Sequence, residues 1–255
     1  MTGRLVQILR HPIKSIGLEE IEGASLSEGG ALPFDREWAV LTERAMITRE
    51  ADGRASAWGP KVNFVIGRSA PALMQVTARE TAPGRWGFAH PAAPDLEIAP
   101  AEPADQARLI DWLRPLWPQD APAPTAVVRA PGQPLCDEAY ACLSLIGTAS
   151  LADLSARAGQ DLSRRRFRAN LWVDGLAPFA EFALVGRRLR IGSAEFEGHA
   201  RVGRCRATDT NPATGLRDID MLRTLQAEYG HTDLGVFLKV VKAGAIARGD
   251  TIEVL

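Results

Sequence analysis

GRCRATDTNPATG, residues 203–215, is the stretch around which the rest of the chain can be read. Its cysteine, Cys205, stands between Arg204 and Arg206, with Arg201 close by. Two guanidinium groups beside a thiol favour the thiolate, which is the form that binds soft transition metals. By composition alone, an inert core cysteine next to two solvated arginines fits the same residues. Thr208–Gly215 is dense in turn formers. Outward from it, Asn170–Val173, Arg188–Ile191, Val236–Val241 and Thr251–Leu255 have the β-branched and apolar runs of strands. A short helix is predicted over Ile219–Glu228, with Asp218 as cap and Gly230 as stop. This pattern predicts a mainly β chain with a few short helices, α+β in class and barrel-like.

The first half reads similarly. Leu5–Leu9, Glu37–Thr42, Val62–Ile66 and Leu73–Thr77 are predicted strands, separated by turn formers such as Gly29-Gly30 and Asp52-Gly53. Ala92–Pro103 is rich in Pro and Ala and reads as a linker or domain seam. A helix follows over Ala104–Leu113 and is ended by Pro115. Ala121–Pro124 is a second break. A further helix opens with the capping-box-like Ser150-Leu-Ala-Asp153 and stops at Gly159. The chain thus divides into an N-terminal unit, residues 1–95, and a strand-rich unit, residues 104–255.

At 255 residues with a formal net charge of −1, the chain has no overall field to attract nucleic acid or an anionic membrane, so neither is expected as a partner. No run of about eighteen apolar residues predicts a membrane span, and Met1–Arg10 has no long apolar stretch to act as a secretory signal. Three cysteines, Cys136, Cys142 and Cys205, cannot all pair, and they point to a reducing cytoplasm. Cys136 and Cys142 read as structural, because no arginine adjoins either in sequence. Phosphate-loop, dinucleotide-fold, zincin and nucleophile-elbow motifs are missing. So are haem, flavin and iron–sulfur motifs. Of the four histidines, His11 and His199 rank first because they neighbour the segments that carry cations.

Two other segments bring a cation together with a small polar donor. His11-Pro-Ile-Lys-Ser-Ile-Gly17 does so with Lys14 and Ser15, and Phe167-Arg-Ala-Asn-Leu-Trp-Val-Asp-Gly175 with Arg168 and Asn170. Such pairs suit a phosphate or a polar heterocycle. Five stretches, in order, resemble the MOSC (molybdenum-cofactor sulfurase C-terminal) family. HPIKS (His11–Ser15) resembles its YP(V/I)KS opening and FDREW (Phe34–Trp38) its (Y/F)DRxW strand. FRANLWVDG with Pro178–Glu181 resembles its FRPN…AE stretch. GRCRATDTNPATG resembles its cysteine signature, and Gly244–Asp250 its closing GD strand. The chain departs from the pattern at His11, where the family has tyrosine, at Asn211, where it has Asp before Pro, and after Cys205, where Arg-Ala-Thr-Asp replaces mostly apolar residues. These departures suggest a distinct subgroup.

The resemblance covers nearly the whole chain and implies a MOSC fold preceded by an N-terminal β-barrel module. It implies a molybdenum–molybdopterin cofactor with Cys205 as metal ligand and catalytic centre. It also implies Lys14, Ser15, Arg36, Arg168, Asn170 and Arg204 as cofactor contacts, with Thr148 and Ser150 at a helix start nearby. Arg206 and Asp209 are candidates for tuning the metal from outside its ligand shell. The branch that includes the amidoxime-reducing component implies reduction of N-hydroxylated or N-oxide small molecules, with electrons from a separate reductase. The alternatives are a non-catalytic carrier or insertion factor for the cofactor or for sulfur, working without pyridoxal phosphate, and a cofactor-free protein with a vestigial pocket.

Overall fold

Alternating apolar residues, such as Leu189 and Ile191, Val236, Leu238 and Val240, or Trp86 and Phe88, send side chains to one face of each strand and so oblige the sheets to close over them. The computed structural model describes residues 2–255. Its strands are β1 (Thr2–Arg10), β2 (Glu19–Ile21), β3 (Gly23–Leu26), β4 (Trp38–Thr42), β5 (Thr77–Ala82), β6 (Arg85–His90), β7 (Ala93–Ile98), β8 (Pro124–Arg129), β9 (Leu143–Gly147), β10 (Leu171–Asp174), β11 (Arg188–Ile191), β12 (Ala194–Gly203), β13 (Asp233–Lys242), β14 (Gly244–Ala247) and β15 (Thr251–Val254). The helices are α1 (Pro103–Leu113), α2 (Thr148–Ala158) and α3 (Met221–Tyr229). The fold is therefore mainly β with three short helices. No helix among the described residues is long and apolar enough to cross a membrane.

Seven strands close a barrel in the order β10-β9-β13-β12-β11-β15-β1, with β1 pairing back onto β10. All neighbours are antiparallel except β9 and β10. Leu5, Ile8, Leu145, Val173, Phe196 and Leu238 fill its interior. A second core forms under the β5-β6-β7 meander, the β4–β8 pair and α1, from Ile13, Val40, Leu73, Trp86, Phe88 and Leu109. Each such buried side chain contributes about 1.5–3 kcal/mol relative to exposure. The chain leaving β1 passes from one core to the other within a few residues. Ile8 packs in the barrel, whereas Ile13 and Ile16 pack in the second core. The segment His11–Gly17 therefore straddles both.

Several local expectations give way to tertiary context. Val62–Ile66 and Leu73–Thr77 are not strands. In their place stand 3-10 turns at Lys61–Asn63 and Pro71–Gln75. Pro60 and Pro71 supply no backbone donor and a fixed φ, which suits a turn start rather than a ladder. The apolar run there anchors the turns, with Phe64, Val65, Leu73 and Val76 all buried. Ala92–Pro103 is not a linker, because it contains β7, whose Leu96 and Ile98 enter the second core. Helix α2 starts at Thr148 behind Gly147, so Ser150 lies inside it, and it ends at a left-handed Gly159. The cap of α3 is Asp220, whose carboxylate accepts from the Arg223 N–H, and not Asp218.

Candidate functional site

Where the two cores meet, a cavity of about 220 Å³ opens. Its wall includes Lys14, Ser15, Arg36, Arg168, Asn170, Arg204 and Cys205, drawn from segments more than 180 residues apart. The local backbone is unusual here. Of the five non-glycine residues with positive φ among the described residues, Ser15 (63°), Arg36 (51°) and Arg168 (49°) all line this cavity. A side chain in that conformation costs about 1–2 kcal/mol. Three such residues around one cavity are the kind of strain that clusters at functional sites.

Seven cationic side chains line the cavity against two acidic ones. The buried cations are held by fixed partners. Arg36 donates to the buried Asp35 carboxylate and, at 3.0 Å, to the Arg168 carbonyl. Arg168 in turn donates to the Gly17 carbonyl at 3.1 Å. Asp35 also accepts from the His11 backbone N–H at 2.7 Å and faces the His11 ring at 3.2 Å. Burial alone would raise the Asp35 carboxyl, but Arg36 and His11 together hold it well below the usual carboxylate range. Burial, with Arg168 and Arg36 adding, lowers His11 to about 3, so its ring is neutral. Arg168 has no carboxylate among its hydrogen-bond partners. Burial first, and then the charge of Arg36, bring it down to about 9. The Asp35 and Asp137 carboxylates oppose that lowering only in part.

Lys14 is buried and donates to the Leu135 carbonyl and the Asp137 carboxylate, both at 2.8 Å. Burial lowers its pKa, and Asp137 opposes that. Asp137 also faces Lys61 at 3.4 Å. The loop between β8 and β9 therefore lays a carboxylate across the cations of the cavity. Within the signature, Arg204 turns its guanidinium to the carbonyls of Leu234 and Phe167. Its cost of burial brings it to about 10, with Cys205 the first of the charges that oppose this. Arg206 and Asp209 pair with each other at 3.2 Å outside the cavity wall, and Asp209 accepts the Met221 N–H at the start of α3.

Asn170 reaches the cavity while tying three strands together. Its carbonyl accepts from the Ser144 N–H and hydroxyl, and its amide donates to the Leu9 carbonyl. Thr148 and Ser150 are not brought to the cavity. Thr148 donates to Asp174 on the surface. Ser150 is fully buried, donates to Glu181 at 2.7 Å and accepts from the Phe179 N–H. The start of α2 is thus capped internally by Glu181, which also accepts from the Gly147 N–H. Of the histidines ranked first, His11 is buried behind the cations, while His199 packs against Tyr140.

Sequence reasoning missed Ser144, Thr208 and the loop residues Cys136, Asp137 and Cys142, all of which line the cavity. Cys136 has no arginine beside it in sequence, but the fold brings Arg36 and Lys14 near it. Only an association between HPIKS, FDREW and the loop before β9 would have shown this.

The MOSC N-terminal beta barrel domain matches residues 2–114 and the MOSC domain matches residues 137–253. The chain belongs to the MOSC family. A curated relative is mitochondrial amidoxime-reducing component 1 of Danio rerio, 26% identical over 295 aligned residues that cover 98% of this chain and 84% of the relative. A second is molybdenum cofactor sulfurase of Drosophila grimshawi, 26% identical over 278 aligned residues that cover 99% of this chain. This MOSC chain spans 34% of that longer protein. Among solved structures, the YUAD protein from Bacillus subtilis aligns over 100% of this chain and 96% of its own at 12% identity and a TM-score of 0.42.

Proposed function

We propose that this protein binds the molybdenum cofactor in the cavity at the junction of its two cores, with Cys205 as the protein's ligand to the metal, and that it reduces N-hydroxylated or N-oxide compounds. One observation carries the reading. Cys205 shares a cavity with an excess of cations, and three of the cavity's lining residues are held in left-handed conformations. This donor set fits a group that combines a soft metal with a phosphate. Among the described residues, no cluster of three or more His, Cys, Asp or Glu side chains is arranged to hold a metal. A metal here would therefore depend on ligands carried by the cofactor itself, with one thiolate from the protein.

In this reading Lys14 and Arg168 bind the phosphate of the pterin, and the phosphate takes the place that the Asp137 carboxylate holds on Lys14. Arg36 stays on Asp35 and positions the Arg168 backbone. Ser15, Ser144 and Thr208 offer hydroxyls to the polar edge of the pterin. Arg204 ties the segment that carries the cysteine to β13 and to the turn before β10, through the Leu234 and Phe167 carbonyls. The bound group supplies two-electron oxygen-atom chemistry, and the protein supplies orientation and electrostatics. Electrons come from a separate reductase. Three unpaired cysteines fit a cytoplasmic setting.

The test is elemental molybdenum together with released pterin, measured on wild type and Cys205→Ser purified from cells able to make the cofactor. Near-stoichiometric molybdenum and pterin in wild type, with molybdenum lost or weakened in the variant, support the reading. Equal molybdenum in both removes Cys205 as ligand, and no molybdenum in either after reconstitution removes the function. The similarity to a molybdenum cofactor sulfurase supports a second reading, in which the chain carries cofactor or sulfur on Cys205. Transfer to an apo-enzyme, without turnover of a reduced dye, would select it.

A further inference from the structure

Two thiols line the cavity besides Cys205, and the proposed function uses neither. Cys136 and Cys142 are separated by five residues in the segment between β8 and β9, which forms no helix or strand. The segment curls back on itself, so that the Cys136 sulfur lies 3.1 Å from the Glu138 carbonyl and 3.5 Å from that of Tyr140. Tyr140 stands two residues before Cys142, so this curl brings the Cys136 sulfur back toward Cys142. Both residues line the same cavity. Cys136 is half-buried and Cys142 buried, so a solvent-borne reagent reaches Cys136 first.

We infer that Cys136 and Cys142 form a reversible dithiol–disulfide pair in the cavity wall, oxidised by low-molecular-weight disulfides such as oxidised glutathione. The order of events follows from the geometry. The Cys136 thiolate attacks one sulfur of oxidised glutathione, forming a mixed disulfide and releasing one reduced glutathione. The Cys142 sulfur then attacks the Cys136 sulfur. The bond to glutathione breaks, and the second glutathione leaves with the Cys142 proton. Two electrons pass from the thiol pair to the oxidant.

The electrostatics agree with this order. The neighbouring Cys142 side chain lowers Cys136 against the opposition of burial, and Arg36 and Lys14 add to the lowering. The neighbouring Cys136, together with burial, raises Cys142. Cys136 is thus the attacking thiol and Cys142 the resolving one. The inference rests on the loop alone and stands whether or not the cavity takes a cofactor.

The test is alkylation of the full-length chain equilibrated at a series of reduced-to-oxidised glutathione ratios, followed by tryptic digestion and mass spectrometry. Arg129 and Arg157 bound a single peptide that carries both Cys136 and Cys142, while Cys205 falls on another. As the buffer becomes oxidising, the 130–157 peptide should lose both alkyl groups and become lighter by two hydrogens, with Cys205 still alkylated. Cys142→Ser should instead accumulate glutathione on Cys136, and Cys136→Ser should give neither product. Full alkylation of both thiols at every ratio would overturn the inference, and so would a bridge from Cys136 to Cys205. The wild-type result decides this even if a variant folds poorly.

Discussion

The Lys14 ammonium and the Asp137 carboxylate lie 2.8 Å apart across 123 residues of sequence, one buried and the other half exposed (side-chain exposures of 5% and 50%). The asymmetry matters. Lys14 needs a counter-charge because it cannot reach bulk water, whereas Asp137 can leave for solvent at little cost. The contact is a replaceable one, with a carboxylate standing where a stronger anion fits.

Asp137→Asn tests this exchange. Removing the charge should raise affinity for inorganic phosphate roughly fivefold at low salt, the scale of one partly exposed ion pair. The same variant should lose about 1 kcal/mol of stability, since a buried ammonium loses its partner while solvent limits the loss. Titration calorimetry and urea unfolding read the two effects. An unchanged phosphate affinity would mean that Asp137 does not compete.

Asp35 lies deeper. Asp35→Asn leaves Arg36 and Arg168 adjacent with no buried counter-charge, and should cost about 3–5 kcal/mol. Because its folded pKa is depressed, the stability contributed by Asp35 is full above the ordinary carboxylate pKa of about 3.9 and is lost as pH falls through the folded value. Neutral-pH denaturation curves of the variant and wild type should therefore differ most, and should converge in strong acid.

His11 governs the milder range. Its folded pKa is depressed to about 3, so the unfolded chain takes up a proton that the folded chain refuses. Stability is full above the unfolded value of about 6.5 and falls below it by about 1.4 kcal/mol per pH unit, until the folded value is reached. In His11→Tyr, the residue of the family's opening motif, that slope between pH 6.5 and 5 should flatten whatever the variant's overall stability. An identical slope in both proteins would assign the pH dependence elsewhere.

Ser15→Gly should stabilise the protein by about 1 kcal/mol, because glycine adopts a φ of 63° without penalty. If the strain serves ligand placement, the same variant should retain less molybdenum and pterin. Gly235 in β13 is the opposite case. Its φ is 81°, and a Cβ there would collide with the Leu145 carbonyl beside the Arg204 guanidinium. Gly235→Ala should cost about 3 kcal/mol or more by thermal unfolding.

Much of the barrel was legible in the sequence because its strands alternate cleanly. Arg188–Ile191 was read with both ends right, and the runs around Val236 and Ile252 were recognised as strands. The failures share a cause. At Phe64–Ile66 and Leu73–Met74, apolar runs signal burial without specifying the backbone that achieves it, and the flanking prolines decided for turns. The cavity was half legible. Lys14, Ser15, Arg36, Arg168, Asn170, Arg204 and Cys205 stand in recognisable motifs, and the fold brings them to one wall. Asp137 and Cys136 carry no local signal, since their meaning comes from Lys14 and Arg36, about a hundred residues away. Thr148 and Ser150 looked like a phosphate-binding helix start, but the buried Glu181 already occupies that start.

β1 is at once a stave of the barrel and the lead-in to the second core. A fragment cut to the C-terminal half would leave β10 and β15 facing a gap, each with a row of unpaired backbone groups. Such edges recruit whatever strand is available, and the first candidate is another copy of the same fragment. The cut that looks cleanest on paper would therefore yield an aggregating or strand-exchanged product, and β1 would have to be supplied, even as a separate peptide, for the barrel to close.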